Sequence, residues 1–136
     1  MRIAALAVVM TLTAAGAQAE DARPYPIIDC GKFTTQMDLN KCAVDNLKSA
    51  DEALNKAYHA LMAKQDDAVS RHRLTGAQRA WIAYRDRECA FEVGPQETGG
   101  TIWPMENSGC LEQITATRIR ELKQALSCTP LSCPAH

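Results

Sequence analysis

The stretch CAVDNLKSADEALNKAYHALMAK, residues 42–64, decides the fold, because it places Ala43, Leu47, Ala50, Leu54, Ala57, Tyr58 and Leu61 at steps of three and four. That is the period of one helical face. No Gly or Pro interrupts it, so a helix runs to about Lys64. Its start is marked by Thr35 and Asp38, which have the spacing of a capping box although Glu would be the better partner. Upstream, residues 20–33 carry Pro24, Pro26 and Gly31, which favour an extended leading segment over a helix.

Downstream, residues 65–70 are polar and short, fit for a turn between antiparallel helices. A second helix then sets Leu74, Ala77, Trp81, Tyr84 and Cys89 on one side and ends at Gly94-Pro95, where Pro cannot continue the hydrogen-bond ladder. Trp81, in mid-helix, is expected in the core. Residues 94–109 hold four Gly and two Pro and read as a long loop. A third helix, capped by Asn107 or Ser108, would bury Leu111, Ile114, Arg118, Leu122 and Ala125 and reach about Leu126. The tail, residues 127–136, is irregular. No strand and no repeat emerges, so the expected fold class is all-α: a small disulfide-stapled bundle of a long antiparallel helical hairpin plus a third helix over residues 34–126.

Composition narrows the function. With 15 Lys+Arg against 16 Asp+Glu in 136 residues, the chain is one small domain and not a basic nucleic-acid binder. Arg2, an apolar run over residues 3–15 and Ala17-Gln18-Ala19 have the form of a secretory signal peptide over residues 1–19. Cleavage near Ala19 would leave 117 residues with a formal charge of −2. No Cys stands at that junction for lipid attachment, and no later stretch is long and apolar enough to span a bilayer. A periplasmic or secreted location without stable membrane insertion is therefore expected.

All six cysteines, Cys30, Cys42, Cys89, Cys110, Cys128 and Cys133, lie beyond residue 19. An even number in an oxidising compartment reads as a disulfide framework, and no Cys-x-x-Cys spacing suggests zinc. Equal offsets from a hairpin turn centred near Ala68 lie at equal heights, because antiparallel helices rise equally per residue. On that count Cys30, Cys42, Cys89 and Cys110 gather at the open end. The preferred pairing is Cys30–Cys42, Cys89–Cys110 and Cys128–Cys133, with Cys42–Cys89 as the runner-up; either set staples the same end.

The same register sets Asp51 level with Arg85, Tyr58 with Gln78 and Asn55 with Trp81, and puts Arg118 near Arg85. Arg85 and Arg118 fall on apolar stripes, where a charge must be paired or reach water. The expectation is a buried polar network of Asp51, Asn55, Tyr58, Gln78, Arg85 and Arg118 that fixes helix register. The sharper alternative is a recognition site for an anionic group.

Cys30 with Gln36-Met37-Asp38-Leu39-Asn40-Lys41-Cys42, then Ala50-Asp51-Glu52-Ala53-Leu54-Asn55-Lys56-Ala57-Tyr58, then Ala77-Gln78-Arg79-Ala80-Trp81-Ile82-Ala83-Tyr84-Arg85-Asp86 with Cys89-Ala90-Phe91-Glu92, then Gly99-Gly100-Thr101, Cys110-Leu111 and Thr115 with Arg118 together resemble the N-terminal domain of LprI-type lysozyme inhibitors. The resemblance covers nearly all of residues 30–126, and the Trp81-centred block is its specific part. It implies an exported, helical, disulfide-bonded bacterial domain whose expected partner is a protein, with a lysozyme as the candidate. The Cys128/Cys133 tail is not part of the shared pattern.

A lysozyme is usually a cationic enzyme that cleaves glycan with two carboxylates. An acidic surface would speed encounter, and a stiffened loop would fill a cleft at low ordering cost. Glu97, Gly99, Gly100, Trp103, Met105 and Glu106 are the candidate contact residues, with Trp103 as the anchor; the alternative is that Trp103 folds down as a cap on the core. The alternative function is a non-catalytic periplasmic module that binds protein or peptidoglycan fragments. An enzyme is not expected: His59 and His72 lack ligand spacing, Glu88 and Glu92 lie one turn apart on a surface helix, no phosphate cradle or nucleophile elbow occurs, and three packed helices leave little volume for a substrate cleft. No cofactor and no metal are called for.

Overall fold

The computed structural model describes residues 23–128, which contain no strand. Four helices follow in order: α1 (Gln36–Ala63), α2 (Ala68–Val93), the single-turn α3 (Gln96–Gly99) and α4 (Trp103–Ser127). Short 3-10 turns occupy Cys30–Lys32 and Gly100–Ile102. The all-α, disulfide-stapled architecture expected from the sequence is what the chain adopts. The expected signal peptide and Cys133 lie outside the described residues.

Local chemistry explains the boundaries. The Thr35 hydroxyl accepts from the Asp38 backbone N–H at 3.2 Å and donates to its carboxylate at 2.6 Å, satisfying one orphan donor of the first turn of α1. Asp67 caps α2 by accepting from the Ser70 N–H at 2.8 Å, and hydrogen bonding from the Ser70 side chain and then its backbone holds the Asp67 carboxyl below the usual value. The polar turn is therefore shorter than residues 65–70, since Asp67 starts the helix early. Gly94 ends α2 at φ 75°, the left-handed region that costs an L side chain most.

Residues 94–109 are not a long loop. Gln96–Gly99 and Gly100–Ile102 are helical turns, and α4 begins at Trp103 rather than at the expected Asn107 or Ser108 cap. Pro104 in the first turn of α4 explains this: its fixed φ suits a helix start, where its missing N–H is no loss.

The core is a slim seam in which Ala50, Leu54 and Ala57 of α1 meet Ala116, Ile119 and Leu122 of α4. Alanines on both sides let these two backbones approach, and each fully buried Leu or Ile contributes about 1.5–3 kcal/mol. α2 leans on α4 and meets α1 chiefly through side chains, such as the 3.3 Å contact between the Tyr58 and Thr75 hydroxyls. Gln78 and Cys89 are its buried residues, while Leu74 and Trp81 are half-buried against the core. Tyr84, expected on the apolar stripe, is exposed.

The buried face of α4 is also displaced from the expected stripe: Ser108, Glu112, Thr115, Ala116, Ile119 and Leu122 are buried, whereas Ala125 is exposed. α4 touches both long helices, so its inward sector includes polar positions that hydrophobic counting passed over. The leading segment explains one of them. Tyr25 is buried in the core and donates to the Glu112 carboxylate at 2.8 Å, and Arg23 pairs with the same oxygen. Asn46 clamps the Ile28 backbone on both sides, accepting from its N–H at 2.7 Å and donating to its carbonyl at 3.0 Å.

Candidate functional site

Two disulfides close one end of the bundle. Cys30–Cys42 fixes the leading segment to α1, and Cys89–Cys110 ties the last turn of α2 to α4, with Cα separations of 5.8 and 5.7 Å. Two of the three preferred pairings are thus formed, and Cys42–Cys89 is not. Cys128 carries no free thiol, and its expected partner Cys133 lies outside the described residues.

Between those staples, residues 94–106 are braced from three sides. The Trp103 indole N–H donates to the Gly94 carbonyl at 2.9 Å, closing the segment on itself. Gly99 leaves room for that ring, since a Cβ there would meet the Trp103 Cβ and Cγ at 2.7 Å. From α1, Asn40 donates to the Thr101 carbonyl at 2.8 Å, and the Gln36 amide lies 3.9 Å from the Met105 sulfur. Trp103 is therefore half-buried against its own segment. Of the candidate contact residues, Glu97, Gly100 and Glu106 are exposed, while Gly99, Trp103 and Met105 are half-buried.

The polar network forms around Trp81. Arg85 Nη1 donates to Asp51 at 3.0 Å and to the fully buried Thr115 hydroxyl at 3.2 Å, and its Nε donates to Asp86 at 3.0 Å. Arg118 Nε donates to the side-chain Oε1 of the buried Gln78 at 3.2 Å, and its Nη1 to Glu121 at 2.8 Å. Both guanidiniums sit over the Trp81 ring, 5.3 and 5.9 Å from its centre, which stabilises the cations and orders the ring. Asn55 does not belong to the network: it is exposed, about 100° round α1 from the buried Leu54 beside it. Tyr58 serves Thr75 and is separate from the arginines.

Sequence reasoning missed the Arg23–Tyr25–Glu112 cluster, although Glu112 stands in the Ser108, Glu112, Thr115, Ile119 row and could have been found there. Burial pushes the Tyr25 phenol up to about 12, and its hydrogen bond to Arg23 raises that guanidinium further.

Charge is unevenly arranged along α2. Arg71, Arg73 and Arg79 lie in its first half, and Asp86, Glu88 and Glu92 in its second, interspersed there with Arg85 and Arg87. With Glu97 and Glu106, the stapled end is acidic. Two open, mainly apolar grooves of about 660 and 490 Å³ flank α4 at the other end, more concavity than a tight three-helix packing suggests. Among the described residues, no group of three His, Cys, Asp or Glu is arranged to hold a metal, and no helix is long and apolar enough to cross a membrane.

Fold and site define a small helical bundle, disulfide-stapled at the end where it carries a braced, acidic surface segment. The family model for lysozyme inhibitor LprI matches residues 30–122, and the chain belongs to that family. It is also 39% identical over 138 residues to an uncharacterized protein of Rhizobium meliloti (strain 1021), covering 93% of this chain and 96% of that one. No solved structure matches.

Proposed function

We propose that this protein is an exported, non-catalytic inhibitor that binds a lysozyme through its stapled acidic end. Membership of the lysozyme inhibitor family carries the reading. The braced segment supports it physically: the Cys89–Cys110 disulfide, the Trp103–Gly94 bond and the Asn40–Thr101 bond hold residues 94–106 in place before any encounter, so little ordering cost falls on binding. Glu97 and Glu106 stand exposed there, and an acidic surface steers a cationic enzyme.

Export is supported by the Arg2, apolar-run and Ala17-Gln18-Ala19 pattern, and by disulfide pairing, which persists in oxidising compartments. Mass spectrometry of the protein secreted by its host cell tests this, with a mature N-terminus at Glu20 expected. For function, the mature protein is titrated into cell-wall lysis assays with c-type and g-type lysozymes separately. A stoichiometric loss of activity with one class is expected. No loss with either at micromolar concentration leaves the periplasmic binding module as the better description.

A further inference from the structure

Among the larger apolar side chains, Phe91 is the most exposed at 84%, and Tyr84, two turns earlier, is 54% exposed. Both lie on α2, seven residues apart, and Arg87 stands between them at steps of three and four, so all three share one face. That face is turned outward by geometry: Cys89, locked to Cys110, is fully buried, and Phe91, two residues on, lies about 200° round the helix from it. Arg87 is exposed and forms no hydrogen bond or ion pair among the described residues, whereas its neighbour Arg85 is held by Asp51, Asp86 and Thr115. A free guanidinium between two uncovered aromatics has the composition of an interface hot spot, on a helix that the Cys89–Cys110 bond has already immobilised.

We infer that Tyr84, Arg87 and Phe91 dock into the carboxylate-lined glycan cleft of the lysozyme, an inference that rests on the inhibitor reading above. Arg87 is placed against the two cleft carboxylates that such a hydrolase needs. The aromatic rings flank it on the sugar-binding surfaces, and Glu88, Glu92 and Glu97 beside them face the cationic rim. Charge complementarity therefore holds twice, cation to the acidic centre and acids to the basic surround. The face continues directly into residues 94–106, so the footprint includes the braced segment and extends beyond it.

The test measures inhibition constants for the mature protein and for Arg87→Ala, Arg87→Glu, Phe91→Ala and Tyr84→Ala, with Val69→Ala at the far end of α2 as control. Each alanine variant at the face is expected to weaken inhibition at least about ten-fold, Arg87→Glu more than Arg87→Ala, and Val69→Ala not at all. Melting temperatures should stay unchanged, and a short chitooligosaccharide filling the cleft should compete with binding. If the wild type inhibits and the face variants inhibit equally well, this surface assignment is overturned and the inhibitor reading stands. If the wild type inhibits neither lysozyme class, both fall. A lowered melting temperature, or conversion of a dimer to a monomer by Phe91→Ala with inhibition intact, overturns the assignment by showing that the chain itself or a second copy covers the face.

Discussion

Gly99 and Trp103 are in such close register that a methyl group at position 99 would come within 2.7 Å of both Cβ and Cγ of the tryptophan. The ring lies where it does because position 99 is empty. Gly99→Ala should therefore displace Trp103, break its bond to the Gly94 carbonyl and cost about 1–3 kcal/mol, the usual range for overpacking. Tryptophan emission should shift to the red. Thermal melting and fluorescence that both match the wild type would refute the brace.

Arg85 and Asp51 join α2 to α1 at the height the hairpin count anticipates. Arg85→Ala would leave the buried Thr115 hydroxyl without its donor and Trp81 without one of its two cations. Asp51 is 43% exposed in its side chain, so the loss is smaller than for a fully buried pair, about 1–3 kcal/mol. Arg85→Lys should recover only part of it, because an ammonium lacks the fork that reaches Asp51, Asp86 and Thr115 together. Urea unfolding decides, and a change below about 0.5 kcal/mol for the alanine variant would mean the network is idle.

Tyr25 makes stability fall in alkali. Its phenol titrates near 12 in the folded protein against an ordinary value of 10, so the folded state favours the protonated form. The corresponding stabilisation is complete below pH 10 and disappears as pH rises from 10 through about 12. Tyr25→Phe should flatten that part of the profile. It should also lower stability at neutral pH by about 1 kcal/mol, through loss of the hydrogen bond to Glu112. Denaturant midpoints between pH 9 and 12 measure both effects.

The two staples close loops of 12 and 21 residues, for which loop entropy gives about 3 kcal/mol each. Their functional weights should differ. Replacing Cys89 and Cys110 together by Ser frees residues 94–106 and the last turn of α2, and should weaken lysozyme inhibition beyond what the loss of stability explains. Replacing Cys30 and Cys42 loosens the leading segment and should lower the melting point while inhibition, assayed well below that temperature, is retained. Equal effects of the two replacements on inhibition would contradict the assignment of the acidic end.

Much of this was legible in the chain. α1 was readable because its apolar period is unbroken from Ala43 to Leu61, and its cap because Thr35 and Asp38 have the right spacing. Register was readable for Asp51 and Arg85, since rise per residue is a constant of the helix. The segment over residues 94–109 was misread because its glycines and prolines weigh against helix in a window, whereas Pro104 at a helix start and Gly94 past a helix end are both favourable places for them. The inward face of α4 was misread because Glu112 and Thr115 count as polar until Arg23, Tyr25 and Arg85 are seen to satisfy them.

Local and periodic information, by itself, determined the number of long helices, the cap of α1 and the family, because these depend on residues near one another in the chain or on a repeated spacing. Only the tertiary structure decided which helices pack most closely, which cysteines meet, that Trp103 turns back onto Gly94 and Gly99 and that Tyr84, Arg87 and Phe91 face outward. Those outcomes depend on how three rods rotate about their own axes to bury one shared seam, and a rotation of a few tens of degrees, to which helical period alone is blind, exchanges core for surface.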